Sequence, residues 1–337
     1  MILSPLLIKQ LVVSPPLFCA PMAGVSHCAF RRLVAGFGGY GALFTEMLSG
    51  RAVLHEKAGE SPFTKRRPEE ETVWYQLALN GREDIASIVE RMAAVSPAAL
   101  DLNAGCPAPE MERQGTGVSL YADAARFERV LKTLRSCWGG PLTVKCRLWK
   151  SETDWKPEFR KRLRIIEDCG ADALFVHPRF FKEKLKRRAR WEFFEWICEQ
   201  TKLPVIANGD IGFVEDIERN ADAFAAVKGL MIGRQAIVRP WIFREFPIQG
   251  TGTSATPVDY AGVFRQFCDY VNEDFPPEKA IGRLKEFMKY YACNFFFGHR
   301  LRTAAQNAQT VGELVDTVMR FLLENPRVVD RPSVAGL

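Results

Sequence analysis

The chain has 337 residues, 47% of them hydrophobic, with 46 Lys and Arg against 40 Asp and Glu and a formal net charge of +6. That length accommodates one large domain and a small one, and no run of about 20 apolar residues is present to span a membrane. Nine cysteines lie scattered without a C-x-x-C pair, so neither a disulfide framework nor a zinc or iron–sulfur centre is expected, and no metal site is assigned.

The N-terminal stretch is apolar but has no basic start and is interrupted by Pro5, Lys9, Pro15 and Pro16. A secretory leader is not expected, and the protein is read as cytoplasmic. From there short apolar runs alternate with amphipathic ones. Strands are expected near 17–21, 43–47, 73–79, 100–103, 142–147, 173–177, 204–207 and 229–232. Helices are expected near 27–36, 82–95, 123–137, 157–169, 190–201, 213–222 and 238–246, with 48–60 helical only in part. Eight strands with crossover helices over about 230 residues fit an α/β fold of the (β/α)8 TIM-barrel type. An open doubly wound sheet would want a G-x-G-x-x-G turn after its first strand, and none is there.

Residues 249–257 are small, polar and without apolar period, which marks a linker between a barrel (1–248) and a small all-α helical bundle (258–337). Bundle helices are expected near 258–274, 278–297, 299–307 and 311–324. In the first, Phe264, Phe267, Tyr270 and Val271 share one face, and Pro276-Pro277 separates it from the second.

In a parallel α/β barrel the C-terminal strand ends converge on one face, and that face carries the chemistry. The ends read here are Pro21-Met22-Ala23, Gln76, Lys145, His177, Asn208-Gly209-Asp210 and Gly233-Arg234. The last two strand ends commonly build a phosphate site, to which Arg234 adds a fork donor. Ordinary glycine turns with a surface arginine are the alternative. Lys145 ends an apolar strand, and burying a cation needs a partner, which an anionic cofactor atom would supply. His177 and Gln76 read equally well as hydrogen-bonded core residues. Cys106, between Gly105 and Pro107, has three readings: a packed thiol, a nucleophile without a base in the local sequence, or a proton donor. A thiol is mostly protonated at neutral pH and can give a proton to a developing carbanion.

The charge is uneven. Residues 251–337 carry ten Lys/Arg and ten Asp/Glu, so the excess lies before them. It concentrates at Arg160-Lys161-Arg162 with Arg164, and at Lys182–Arg190, where six of nine residues are basic. The second run is either a solvated helix face or a phosphate-backbone footprint, and its place after the sixth strand, at the catalytic rim, favours the footprint.

Several segments in order and at family spacing resemble the tRNA-dihydrouridine synthase family. They are Cys19-Ala-Pro-Met-Ala-Gly-Val25 with Phe30-Arg-Arg-Leu33, Thr45-Glu-Met47, Gln76-Leu77, Asp101-Leu-Asn-Ala-Gly-Cys-Pro107, Val144-Lys-Cys-Arg147, Val176-His-Pro-Arg179, Pro204-Val-Ile-Ala-Asn-Gly-Asp210 and Met231-Ile-Gly-Arg-Gln-Ala236 with Pro240-Trp-Ile-Phe243. The resemblance covers roughly residues 15–245 and, more weakly, the helical part. It implies an FMN-dependent enzyme, with NADPH as reductant, that reduces a uracil C5–C6 double bond in tRNA. It assigns Pro21, Met22, Ala23, Gln76, Lys145, His177, Asn208, Gly209, Asp210, Gly233 and Arg234 to FMN, Cys106 to general acid catalysis and Asn103 to the uracil. Arg147, Arg179, Lys184, Lys186, Arg187 and Arg188 are the further tRNA contacts expected.

Departures from the family pattern are Pro178-Arg179-Phe180-Phe181 after the sixth-strand His, Gln114 before Gly115, and Ser26-His27, where Ser26 is expected to cap the next helix. The segment Arg283–Tyr291 resembles the subgroup acting on position 16 of the D-loop. A monomer without membrane partners is expected. The rivals are a barrel flavoprotein acting on a free small molecule, such as a dihydroorotate or enoate oxidoreductase, and a catalytically dead RNA-binding module. The rim charges and helical part weigh against the first, and Cys106, Lys145 and Arg234 against the second.

Overall fold

Eight parallel strands close on themselves in the computed structural model, which describes residues 4–183, 185–247 and 257–337. A short antiparallel hairpin, β1 (Leu6–Ile8) and β2 (Leu11–Val13), comes first. The barrel strands are β3 (Leu17–Cys19), β4 (Ala42–Ser49), β5 (Val73–Ala78), β6 (Ala99–Ala104), β7 (Leu142–Arg147), β8 (Ala173–His177), β9 (Val205–Asn208) and β10 (Gly229–Ile232), with β10 pairing back onto β3. All eight expected strands are present.

Period-two alternation divides each strand between two environments. On β5, Trp74 and Gln76 face the barrel interior while Val73, Tyr75 and Leu77 join the outer core under the helices. On β8, Phe175 faces in and Leu174 and Val176 face out. Phe18, Phe44, Trp74 and Phe175 fill the lower interior with ring centroids 5.0–6.5 Å apart, mostly edge to face. Such pairs add about 0.5–1.5 kcal/mol each beyond their burial. Leu6, Ile8 and Val13 of the hairpin belong to the same cluster and plug the bottom. The interior thus turns from aromatic to polar toward the C-terminal strand ends.

Some helices differ from expectation. The 238–246 stretch is a short helix, Arg234–Val238, and a 3-10 turn, Ile242–Glu245. Pro240 separates them, because proline disfavours the helical conformation of the residue before it, and Arg239 lies at φ −126, ψ 87. The 213–222 helix breaks at Asn220 into Val214–Arg219 and Ala221–Phe224. The 190–201 helix is shorter, Phe193–Glu199. Helices Pro109–Gln114 and Val118–Ala122, on either side of Gly115 and Gly117, were not anticipated.

The helices Tyr260–Asp274, Pro277–Tyr291, Gly298–Asn307 and Val311–Leu323 follow the barrel and share one hydrophobic core with its outer layer. Asp274 fastens them to the barrel: it accepts from Cys28 Sγ at 2.8 Å, from Lys65 Nζ at 3.1 Å and from Arg67 Nη2. Arg283 adds a bond to the Gly24 carbonyl at 3.2 Å while its guanidinium lies over Phe275 and Phe63. The expected linker lies, apart from Pro257, outside the described residues. No helix among the described residues is long and apolar enough to cross a membrane.

Candidate active site

At the polar end of the barrel a cavity of about 400 Å³ opens between the strand ends. Pro21, Met22, Ala23, Gln76, Asn103, Cys106, Lys145, Arg147, His177, Arg179, Asn208, Gly209, Asp210, Gly233 and Arg234 all line it. The barrel register explains the convergence: Gln76 pairs with Asp101 and Asp101 with Thr143, Asn103 pairs with Lys145, and Arg147 pairs with His177.

A hydrogen-bonded relay crosses the floor. Thr143 Oγ1 donates to Asp101 Oδ1 at 2.6 Å and Gln76 Nε2 to Asp101 Oδ2 at 2.7 Å. Asn103 Nδ2 donates to Gln76 Oε1 at 2.8 Å, and Asn103 Oδ1 accepts from the backbone N–H of Gly105 and of Cys106 at 3.2 and 3.1 Å. The loop carrying Cys106 is therefore held by a side chain on the strand beneath it. Gly117 closes the other side, with φ 57 and so close that a Cβ would lie 2.5 Å from the Cys106 carbonyl oxygen.

Electrostatics across the floor are set by burial. Desolvation pushes the Asp101 carboxyl up to about 6, against its bonds from Thr143 and Gln76 and the charge of Lys145. Desolvation also pulls the Lys145 ammonium down to about 8, with Asp101 the principal charge holding its proton on. Arg147 is brought to about 10 by burial and by Arg179. His177 falls well below the usual imidazole range through burial and the neighbouring cations Arg147, Lys145, Arg179 and Arg234. It is neutral, and since a guanidinium only donates, its Nε2 accepts from Arg179 Nη1 at 2.6 Å.

Arg179 is 2% exposed and its donors are consumed inside the chain. Nη2 reaches both Asp210 oxygens at 2.7 and 2.6 Å, and Nε reaches the Arg187 carbonyl at 2.6 Å. Asp210 Oδ2 also accepts from Ala189 N at 2.8 Å. Arg179 and Asp210, expected from sequence as contacts to tRNA and cofactor respectively, form a clamp on each other and on the rim loop. Gly209 passes under it at φ 113, where a Cβ would lie 2.7 Å from the His177 ring.

That rim loop is the basic run. It makes a 3-10 turn, Phe181–Glu183, and then turns without becoming a helix. Among the described residues the run is thus an exposed loop rather than a helix face. Glu183 receives both prongs of Arg190, at 2.7 and 2.6 Å. Lys182, Lys186, Arg187 and Arg188 are exposed, while Leu185 lines the cavity. Lys184 lies outside the described residues. Ser26 also departs from expectation. The helix Cys28–Phe37 has His27 at its N-cap and no side-chain cap. Ser26 Oγ instead accepts from Met22 N at 2.8 Å and donates to the Ala20 carbonyl at 3.1 Å, bracing the Pro21–Ala23 loop.

The donor set fits a flavin mononucleotide. Lys145 is a half-buried cation that opens into the cavity, and among the described residues none hydrogen-bonds its ammonium. Arg234 stands at the opposite strand end, suited to a phosphate. Gln235 Oε1 is buried without a partner, a free acceptor at the same end. Asp101, Thr143, Gln235 and Val334 escaped the sequence reading. Asp101 could have been found there, as a carboxylate inside an apolar run two residues before Asn103 and so on the same strand face. Val334 carries no local signal.

The model of the family described as Dihydrouridine synthase (Dus) matches residues 18–325. The tRNA-dihydrouridine synthase B of Shewanella oneidensis is 32% identical over 249 residues, spanning 73% of this chain and 75% of that protein. The tRNA-dihydrouridine synthase B of Escherichia coli is 29% identical over 283 residues, spanning 82% and 86%. Among solved structures, morphinone reductase matches with a TM-score of 0.53 at 11% identity over 79% of this chain and 92% of its own. The old yellow enzyme from Trypanosoma cruzi matches at 0.51 and 9% identity over 73% and 93%. At those identities the likeness is one of fold.

Proposed function

The chain belongs to the dihydrouridine synthase family, and we propose that it is an FMN-dependent tRNA-dihydrouridine synthase reducing the C5–C6 double bond of a D-loop uridine. The observation that carries the reading is the placement of the Cys106 loop and the Lys145 ammonium on one cavity, with the loop tied through Asn103 and Gln76 to Asp101, the carboxylate whose charge acts on Lys145. Bound FMN, reduced by NADPH, supplies the hydride for uracil C6.

The chain's own groups supply the rest. Cys106 Sγ gives the proton to C5 as negative charge develops there. Asn103 fixes the loop that presents the thiol, with one amide N–H left for the uracil. Lys145 offsets negative charge at the pyrimidine edge of the flavin. Arg234 meets the phosphate. A stacked uracil cannot enter this cavity, so the base is flipped out of the RNA. The exposed Lys182, Lys186, Arg187 and Arg188 meet tRNA phosphates at the rim, and Arg147 adds positive charge within the mouth. The barrel (1–248) is the catalytic unit and the helices of 258–337 the second tRNA-binding surface. The chain acts as a cytoplasmic monomer, where tRNA and NADPH are both at hand.

The test is a purified protein loaded with FMN, given NADPH and tRNA from a strain lacking dihydrouridine. Appearance of dihydrouridine at a D-loop position, mapped by sequencing, is the expected result. An FMN-loaded protein that NADPH reduces but that leaves tRNA untouched while reducing free uridine would overturn it.

A further inference from the structure

After the helix Val311–Leu323 the chain returns to the barrel mouth. It first pairs with the bundle, Phe296 N donating to the Arg327 carbonyl at 2.9 Å and Val329 N to the Asn294 carbonyl at 2.7 Å. Arg331 then anchors it to the barrel. Its Nη2 reaches both oxygens of Asp216 at 2.7 Å, its Nη1 reaches Glu215 at 3.3 Å, and its guanidinium lies 4.1 Å over the Phe213 ring. Pro332 is buried and its carbonyl accepts from Gln235 Nε2 at 2.9 Å. The Val334 carbonyl accepts from Arg234 Nη1 at 3.2 Å, and Val334 itself lines the cavity. These residues lie beyond the 18–325 span that the family model matches, so their contacts are not carried over from the family pattern.

We propose that residues 331–334 are a strap forming one wall of the flavin cavity, and that the strap retards loss of the cofactor. The proposal rests on the flavin reading above. The two residues that donate to the Val334 and Pro332 carbonyls, Arg234 and Gln235, come straight after Gly233, at the strand end proposed for the phosphate. The Arg234 guanidinium is held between the Val334 carbonyl and Asp210 Oδ1, 3.7 Å away. That fixes its direction before a ligand arrives, and a donor fixed in advance loses less freedom on binding. Val334 lines the cavity at that end. Yielding of the Arg331 anchor and of the two carbonyl bonds would open this side of the cavity, so the strap acts on the dissociation rate.

The experiment uses the full chain loaded with FMN, freed of excess by desalting, and followed by the rise of free-flavin fluorescence. Two variants are compared with it: Arg331→Ala, which cuts the anchor, and a chain ended after Asp330, which lacks the strap. FMN release is expected to quicken by about tenfold without the strap, the effect of losing a directed hydrogen bond and its cover. Arg331→Ala gives a smaller increase. Cofactor-free melting temperatures are expected to match the native chain, and hydrogen exchange at Ser333 and Val334 slows when FMN is added to the native chain. If the shortened chain does not fold, Arg331→Ala carries the comparison. A native chain that holds FMN, with release unchanged in the folded variants, overturns the strap. A native chain that retains no FMN overturns the flavin reading itself.

Discussion

Asn103 Nδ2 donates to Gln76 Oε1 at 2.8 Å, so the residue that holds the Cys106 loop is itself oriented from the buried carboxylate of Asp101. The direction of the chain of bonds is forced. Asp101 mainly accepts, which turns the Gln76 amide nitrogen toward it and leaves the Gln76 oxygen for Asn103. The Asn103 oxygen is then free for the backbone N–H groups of Gly105 and Cys106. The Cys106 loop and the cavity floor are thus parts of one network.

Asn103→Ala removes the acceptor that two loop N–H groups share. Leaving such groups unpaired costs about 1–3 kcal/mol, to be read as a lower urea midpoint. FMN content should stay the same if, as proposed, Asn103 meets the uracil rather than the cofactor. Single-turnover oxidation of the reduced enzyme by tRNA should slow at least as much as tRNA binding weakens. Normal turnover in a folded, FMN-loaded variant would show that the loop needs no such support.

Cys106→Ala isolates the proton. FMN binding and reduction by NADPH should be unchanged, while reduction of tRNA uridine falls by about 10²–10⁴-fold, the usual worth of a general acid. Undiminished dihydrouridine formation in this variant would remove Cys106 from the chemistry.

Lys145 predicts a pH dependence with a definite sign. Burial lowers its folded-state pKa to about 8, so the cation is present below that pH and lost above it. Affinity for reduced FMN, titrated anaerobically, should therefore be level below about 8 and fall beyond it. Asp101 is the charge that keeps the Lys145 proton on. In Asp101→Asn the fall should begin at lower pH, and a midpoint that stays in place or rises would contradict the coupling.

The barrel was legible because each strand is a short apolar run ending in a polar or glycine residue, as at Val144-Lys145 and Val176-His177. Period two then carries those ends inward on their own, without help from distant residues. What could not be read were pairings whose partners are far apart in the chain. Arg179 meets Asp210 from 31 residues away and Arg234 meets Val334 from 100. Neither residue's local pattern distinguishes a ligand donor from a clamp. Ser26 was misjudged for a related reason: a serine before a helix suits a cap, but the loop Ala20–Met22 folds back within its reach and takes the hydroxyl first.

Asp210→Ala breaks the clamp on one side and leaves the Arg179 guanidinium buried beside His177. Removing one partner of a buried pair costs about 3 kcal/mol at the lower end of the usual range, and the lower end applies because the Asp210 side chain is 27% exposed. The rim loop loses the Ala189 tie as well. Trypsin should then cut at Lys186, Arg187 or Arg188 faster than in the native chain. Unaltered cleavage and stability would mean that Glu183 and Arg190 alone hold the loop.

The basic rim gives the sharpest test of how the RNA is held. Lys186, Arg187 and Arg188 are exposed on a loop whose backbone is pinned by Arg179, Asp210 and Glu183. Replacing the three with Gln leaves those backbone ties in place, so FMN content and melting temperature should hardly move, as exposed charges contribute little to folding. Binding to tRNA should weaken, and each lost phosphate contact should reduce the log–log salt slope by roughly 0.7–0.9. A slope lowered by roughly 2.1–2.7 would mean that all three touch the backbone. An unchanged slope with unchanged affinity would move the electrostatic grip elsewhere. The helices of residues 258–337 could then supply it only through local patches, since Lys and Arg there are balanced by Asp and Glu.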